Sequence, residues 1–194
     1  MPRSSLPRPP LKLVGVVVTR YHLVTDIRLG TNPERVWEAL TRSDSSPSWW
    51  RRVREMEVMD EGDERGVGAR FRHQVGTPLL YGVSYEGEVT RIVEPSLAEF
   101  EASGDFVGTG QFRLRPSEDG GTDLAFTWLV ATPKRWMSLL GWVARPVFVW
   151  NHHRLMSEFA KDLAATIDAD VHHVRHRVVS RRDPGFYRLS SGDE

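Results

Sequence analysis

The stretch that most limits what this chain can fold into is its last long apolar-faced segment. From Pro146 to about Ile167, the residues Phe148, Leu155, Met156, Phe159, Leu163 and Ile167 return at three- and four-residue spacings. On a helix of 3.6 residues per turn that spacing lays them along one face. Pro146 suits the first helical turn, where a missing N–H loses nothing. At 1.5 Å per residue the helix is roughly 33 Å long, enough to cross a whole sheet. Such a helix needs one broad apolar surface to lie on. Its first half reads VFVWNHHRLM, Val147 to Met156. His152 falls in the middle of the apolar face and His153 points elsewhere, so one of two adjacent imidazoles enters the interior.

The preceding residues can supply that surface. YHLVTDIRL, Tyr21 to Leu29, alternates as a half-buried strand does. GTNPERVWEAL follows, with Asn32 as N-cap, Pro33 in the first turn, and Val36, Trp37 and Leu40 on one face. SDSSPSWW reads as a second short helix or turn ending at Trp49 and Trp50. Five strands follow, Val53–Met59, Ala69–Val75, Tyr81–Val93, Leu97–Ser103 and Gln111–Arg115, then a last one, Thr122–Thr132. The connections are short, as antiparallel hairpins require, and EDGGTD before the last strand is a strong turn signal. The loop DEGDERGVG is longer.

A chain of 194 residues suffices for one domain with tails. The expected division is a loose N-terminal arm over 1–20, a domain over 21–168 and a basic-then-acidic tail over 169–194. The formal net charge is zero, which implies no global attraction to nucleic acid or anionic membrane. Cysteine is absent, so disulfides, thiolate metal sites and cysteine nucleophiles are excluded together. The longest apolar run, Met137 to Trp150, spans about fourteen residues and is broken by Arg145 and Pro146, short of a membrane span. No cleavage site follows the basic N-terminus, and the expected location is cytoplasmic.

Several motif matches fail on context. GVGARF mimics half of a dinucleotide fingerprint but sits between two strands with no helix after it. HHVRH, His172 to His176, offers ligands at positions one and five of a helix but has no accompanying carboxylate. The arginines at 175, 177, 181 and 182 are balanced by an acidic end. No phosphate loop or Gly-x-Ser-x-Gly elbow occurs. The sequence calls for no metal, no cofactor and no nucleic-acid partner.

The order of elements resembles the START-like, or helix-grip (SRPBCC), superfamily: strand, two short helices, six antiparallel strands and one long C-terminal helix. NPERVWEAL resembles its first helix, PSWWRRVREMEVMDEGDERGVGARFR its loop and second and third strands, and GGTDLAFTW its last strand. WNHHRLM resembles the start of the long helix in bacterial polyketide cyclase/dehydrase members. The similarity covers roughly Tyr21 to Asp168. It implies an α+β fold in which a curved antiparallel sheet wraps the helix and leaves an apolar cavity. It does not choose among the cyclases, lipid carriers, hormone receptors and chaperone co-factors that share the fold.

Strand alternation then nominates the cavity wall. Phe71, Phe100, Phe112, Phe126 and Trp128 face inward from the sheet, and Phe148, Asn151, Leu155, Met156 and Phe159 from the helix. The polar exceptions are His73, Tyr81, Tyr85, Asn151 and His152. One function is binding or transport of a lipid or polyketide-like molecule. A gate at PKRWMSLLGWVARP, with Trp136, Leu139, Leu140 and Trp142 beside Lys134 and Arg135, then makes peripheral membrane contact. A second is a polyketide cyclase or dehydratase, with His152 or His73 as base and Tyr81 or Tyr85 as donor. Alternation puts no Asp or Glu inside to orient either histidine. A third is a protein-binding adaptor of the chaperone co-factor type. Trp49 and Trp50 are expected to close the base or mouth of the domain, and Trp150, Asn151 and His152 to stand where the long helix enters the cavity.

Overall fold

A computed structural model describes residues 19–41, 49–76, 82–132 and 141–179. Along the chain lie β1 (Thr19–Leu29), α1 (Pro33–Thr41), β2 (Val53–Asp60), β3 (Arg70–Gly76), β4 (Gly82–Val93), β5 (Leu97–Gly104), β6 (Val107–Pro116), β7 (Thr122–Thr132), α2 (Gly141–Thr166) and β8 (Val171–Val178). The strands form one sheet in the order β2-β3-β4-β5-β6-β7-β1-β8, antiparallel throughout. The curved sheet packs around α2, the helix-grip α+β arrangement.

Local sequence explains most of this. The Asn32 carboxamide oxygen accepts the Arg35 backbone N–H at 2.9 Å and caps α1, whose Val36 and Trp37 are buried. Strand β7 alternates without a break, burying Thr122, Leu124, Phe126, Trp128, Val130 and Thr132. Two glycines let aromatic rings lie flat against the sheet. Phe71 pairs with Gly87 across β3 and β4, and Phe100 with Gly110 across β5 and β6. In each case a ring carbon sits 2.2 Å from where a Cβ would stand. Any larger residue would push these rings out of place.

Three elements differ from expectation. Helix α2 begins at Gly141 rather than Pro146, which lies inside it. There the proline forgoes one intrahelical bond close to the helix start. Strand β6 begins at Val107, not Gln111, because Gly108 and Gly110 interrupt the alternation. The sheet also continues past 168. Strand β8 lies in the stretch assigned to the tail and pairs antiparallel with β1, Thr25 opposite His176. A register shift between Arg28 and Leu29 and the run of His and Arg hid its period. The expected short helix or turn before Trp49 falls largely on 42–48, outside the described residues.

The segment before β2 is fastened to α2 by charge. The Arg51 guanidinium lies 2.8 Å from Asp162, whose carboxylate also accepts the Arg51 backbone N–H. Arg52 donates two hydrogen bonds to Glu158. No helix among the described residues is long and apolar enough to cross a membrane.

Candidate functional site

Between the sheet, α1 and α2 lies a cavity of about 890 Å³. All ten side chains nominated as ligand-binding stand on its wall: Phe71, Phe100, Phe112, Phe126, Trp128, Phe148, Asn151, Leu155, Met156 and Phe159. His73, Tyr85 and His152 stand there too. Tyr81, Trp136, Leu139 and Leu140 lie outside the described residues, and of Trp142 only the backbone is described, within α2.

The wall is continuous aromatic surface. Phe112 and Phe126 are 4.6 Å apart at their ring centres, Phe126 stacks on Trp128, and Tyr85 tilts against Trp128 at 5.6 Å. His152 lies parallel to Phe126 at 6.3 Å. Trp49 and Trp50, expected only to close the base or mouth, line the cavity and pack against Phe159 at 5.4 and 5.2 Å. Trp150 is different. It is 49% exposed with the Arg154 guanidinium over its ring, so it is not a cavity residue. One step along a helix turns a side chain by about 100°, and Asn151 and His152, not Trp150, take the inner face.

The polar groups of the interior fall into two sets. On the sheet, His73 Nδ1 and the Tyr85 hydroxyl share a hydrogen bond of 3.0 Å, while His73 Nε2 has no partner among the described residues. On α2, Asn151 Oδ1 and both nitrogens of His152 are buried and unpartnered among the described residues. Burial holds the His73 imidazole down to about 4. It holds His152 down to about 3, with smaller contributions from His153 and His176. Burial pushes the Tyr85 phenol well above its usual 10. All three are therefore uncharged at neutral pH. Neither cavity histidine hydrogen-bonds a carboxylate among the described residues. Unpaired buried polar atoms are destabilising by roughly 1–3 kcal/mol each, and Asn151, His152 and His73, which carry such atoms, all line this one cavity.

Sequence reading missed other parts of the wall. Phe106 follows a turn, SGDF, and so belongs to no alternating run, yet it is buried against Tyr85, Trp128 and Phe148. A hydrophobe just after a Gly-Asp turn was the available signal. The loop after β2 contributes Asp60 to Gly66, and Glu94 joins it from the turn after β4. The HHVRH motif lies in a strand, not a helix, and His176 is bound to Thr25 and Ser157. No group of three or more histidines and carboxylates among the described residues is placed to hold a metal.

Solved structures share this architecture at low identity. The Zhui aromatase/cyclase from a Streptomyces species aligns with a TM-score of 0.64 at 13% identity, over 77% of this chain and 94% of that one. The di-domain ARO/CYC StfQ of the steffimycin biosynthetic pathway aligns at 0.62 and 10% identity, over 77% of this chain and 51% of that one. A protein from Thermus thermophilus aligns at 0.58 and 20% identity, over 76% of this chain and 99% of that one. At these identities the likeness is one of fold. No curated protein matches the sequence. The family model for polyketide cyclase / dehydrase and lipid transport, however, matches residues 20–168. With its grip of sheet on helix and the hollow between them, the chain belongs to the polyketide cyclase/dehydrase and lipid-transport family.

Proposed function

We propose that this protein binds a hydrophobic small molecule in the cavity and holds it by a few neutral hydrogen bonds. The observation that carries the reading is an aromatic-walled space of about 890 Å³ whose lining residues include Asn151, His152 and His73, each with a buried polar atom unpartnered among the described residues. Cavities of this size enclose most of a drug-sized ligand. Each 100 Å² of apolar ligand surface removed from water contributes about 2.5 kcal/mol, less the loss of rigid-body freedom. A lipid or polyketide-like molecule fits these requirements. The nominated wall residues supply the contacts, with Asn151 and His152 orienting the ligand from the helix.

A second reading, a cyclase or dehydratase, is favoured by one contact, the His73–Tyr85 hydrogen bond inside the cavity. His73 would take a proton from an activated methylene, and the Tyr85 hydroxyl would hold the enolate oxygen. The acid shift of His73 argues against it, because an imidazole titrating at about 4 is a weak base at pH 7.

Native mass spectrometry of the purified protein, followed by incubation with hydrophobic ligands and a linear poly-β-ketone, tests both readings. A stoichiometric adduct that leaves chemically unchanged, with quenching of tryptophan fluorescence, is the expected result. A cyclised or dehydrated product lost in His73→Ala and Tyr85→Phe would establish the second reading. A protein that stays empty throughout would overturn both and favour the adaptor.

A further inference from the structure

The cavity has a charged end as well as a neutral interior. Asp60 pairs with Arg70 at the end of the β2–β3 ladder, and Val93 with Leu97 at the β4–β5 turn. The loop between β2 and β3 meets the last residues of β4, where Gly68 donates to the Val89 carbonyl and Gly66 approaches Ile92. The loop after β2 and the turn after β4 therefore lie at the same end of the sheet. The described cavity-lining residues there include five carboxylates, Asp60, Glu61, Asp63, Glu64 and Glu94, against Arg65 and Arg70. Arg70 is itself within 3.8 Å of Glu86.

A ring of acidic side chains alone would signify little. Here it borders a cavity whose wall includes two buried polar side chains with unpartnered atoms among the described residues, Asn151 (Oδ1) at 5% and His152 (both ring nitrogens) at 7% exposure. Neither is a cation at neutral pH, and the described wall beyond the mouth contains no Lys or Arg. A ligand carboxylate or phosphate would thus find no counter-charge in the interior, where an unpaired ion is strongly disfavoured. At the mouth it would meet excess negative charge, whose field is focused by the apolar walls.

We infer that the mouth selects its ligand by charge: the preferred guest is a hydrophobic amine or an uncharged lipophile, with its body inside and any cationic end among Glu61, Glu64 and Glu94. Free fatty acids and anionic phospholipids are rejected. This rests on the binding function proposed above and specifies its ligand class. Asp60 and Asp63 also accept backbone N–H groups of their own loop, from Gly62 and from Arg65 and Val67. They shape the rim, and the three glutamates are the residues to alter.

The test is a matched series sharing one chain: dodecylamine, dodecanol and dodecanoate, each below its micelle concentration at pH 7. Binding is read by tryptophan fluorescence and by displacement of a neutral hydrophobic dye. At low salt the amine is expected to bind at least tenfold more tightly than the acid, with the alcohol between them. In the triple variant Glu61→Gln/Glu64→Gln/Glu94→Gln, or at high salt, the ratio should fall toward one while the alcohol is unaffected. Acid binding as well as amine, or a ratio unchanged in the triple variant, would overturn charge selection yet leave the binding function intact. Failure of all three compounds and the dye to bind would instead overturn the binding function itself, and the selection with it.

Discussion

Two histidines lie on opposite sides of helix α2, His152 on the helix itself and His176 on β8, and their bonding differs. Toward the cavity, His152 has both ring nitrogens buried and neither partnered among the described residues. Toward β8, His176 stacks on His153 at 4.6 Å and has both nitrogens engaged, by Thr25 at 3.0 Å and Ser157 at 2.9 Å. Because the Ser157 hydroxyl donates to the His153 carbonyl, it must accept from His176 Nε2, which leaves Nδ1 to accept from Thr25. One imidazole is a finished structural joint, and the other waits for a partner. The difference teaches how to read polar groups in an interior. Both imidazoles are at least partly buried, and it is their bonding state that separates them.

Acid should expose this contrast most strongly. In the folded protein His73 titrates at about 4 and His152 at about 3, both below the ordinary 6.5. Between those values and 6.5 the unfolded chain binds protons that the folded chain does not. The stability from keeping both rings neutral is thus complete above pH 6.5 and is lost as pH falls toward 4 and 3. Each group contributes about 1.4 kcal/mol per pH unit within its window. His153 and His176 are held low by burial and add in the same sense. Urea unfolding at pH 7, 5.5 and 4.5 measures the slope. His152→Leu should flatten it, and an unchanged slope would mean that His152 is not the ring resisting protonation.

The next effect concerns the joint. His176→Ala strands the Thr25 hydroxyl, takes a donor from Ser157 and removes the ring stacked on His153, with an expected loss of about 2–3 kcal/mol. Ligand affinity should be unchanged, because His176 does not line the cavity. A shift in affinity comparable to the shift in unfolding midpoint would break the distinction drawn between the two sides. The smallest effect on stability is expected at His152 itself. His152→Leu at pH 7 should lie within about 1 kcal/mol of wild type, since it removes an unpartnered group while keeping an apolar volume. Ligand affinity should weaken by about fivefold to tenfold, the worth of one lost hydrogen bond. A large destabilisation with unchanged affinity would assign His152 to structure.

The side of α2 facing the cavity was legible in the sequence, and the side facing β8 was not. Periodicity placed Phe148, His152, Met156 and Phe159 on one face, and alternation turned Phe71, Phe100 and Trp128 inward, because both patterns follow from backbone geometry alone. Strand β8 escaped because Val171 and Val174 are separated by two histidines and its register slips beside Leu29. The acidic rim escaped for another reason. Loop residues have no period, and only the meeting of the β2–β3 loop with the end of β4 brings Glu61 and Glu94 to the same end of the cavity. Pairing between His73 and Tyr85 is intermediate: each faces inward by alternation, but their register across β3 and β4 is a property of the ladder.

Strand β8 has one more consequence, for how copies of this chain meet. The matched family segment ends at 168, so without β8 the outermost strand on this side would be β1. Tyr21 to Thr25 are buried one after another, and as a bare edge they would present open backbone and apolar side chains together. Such an edge templates sheet-to-sheet aggregation. With β8 in place the outer edge instead carries His172, His173, Arg175 and Arg177, all exposed. Polar and charged side chains of this kind blunt an edge against pairing with another sheet, and Arg177 is further tied to Asp26 of β1 at 2.8 Å.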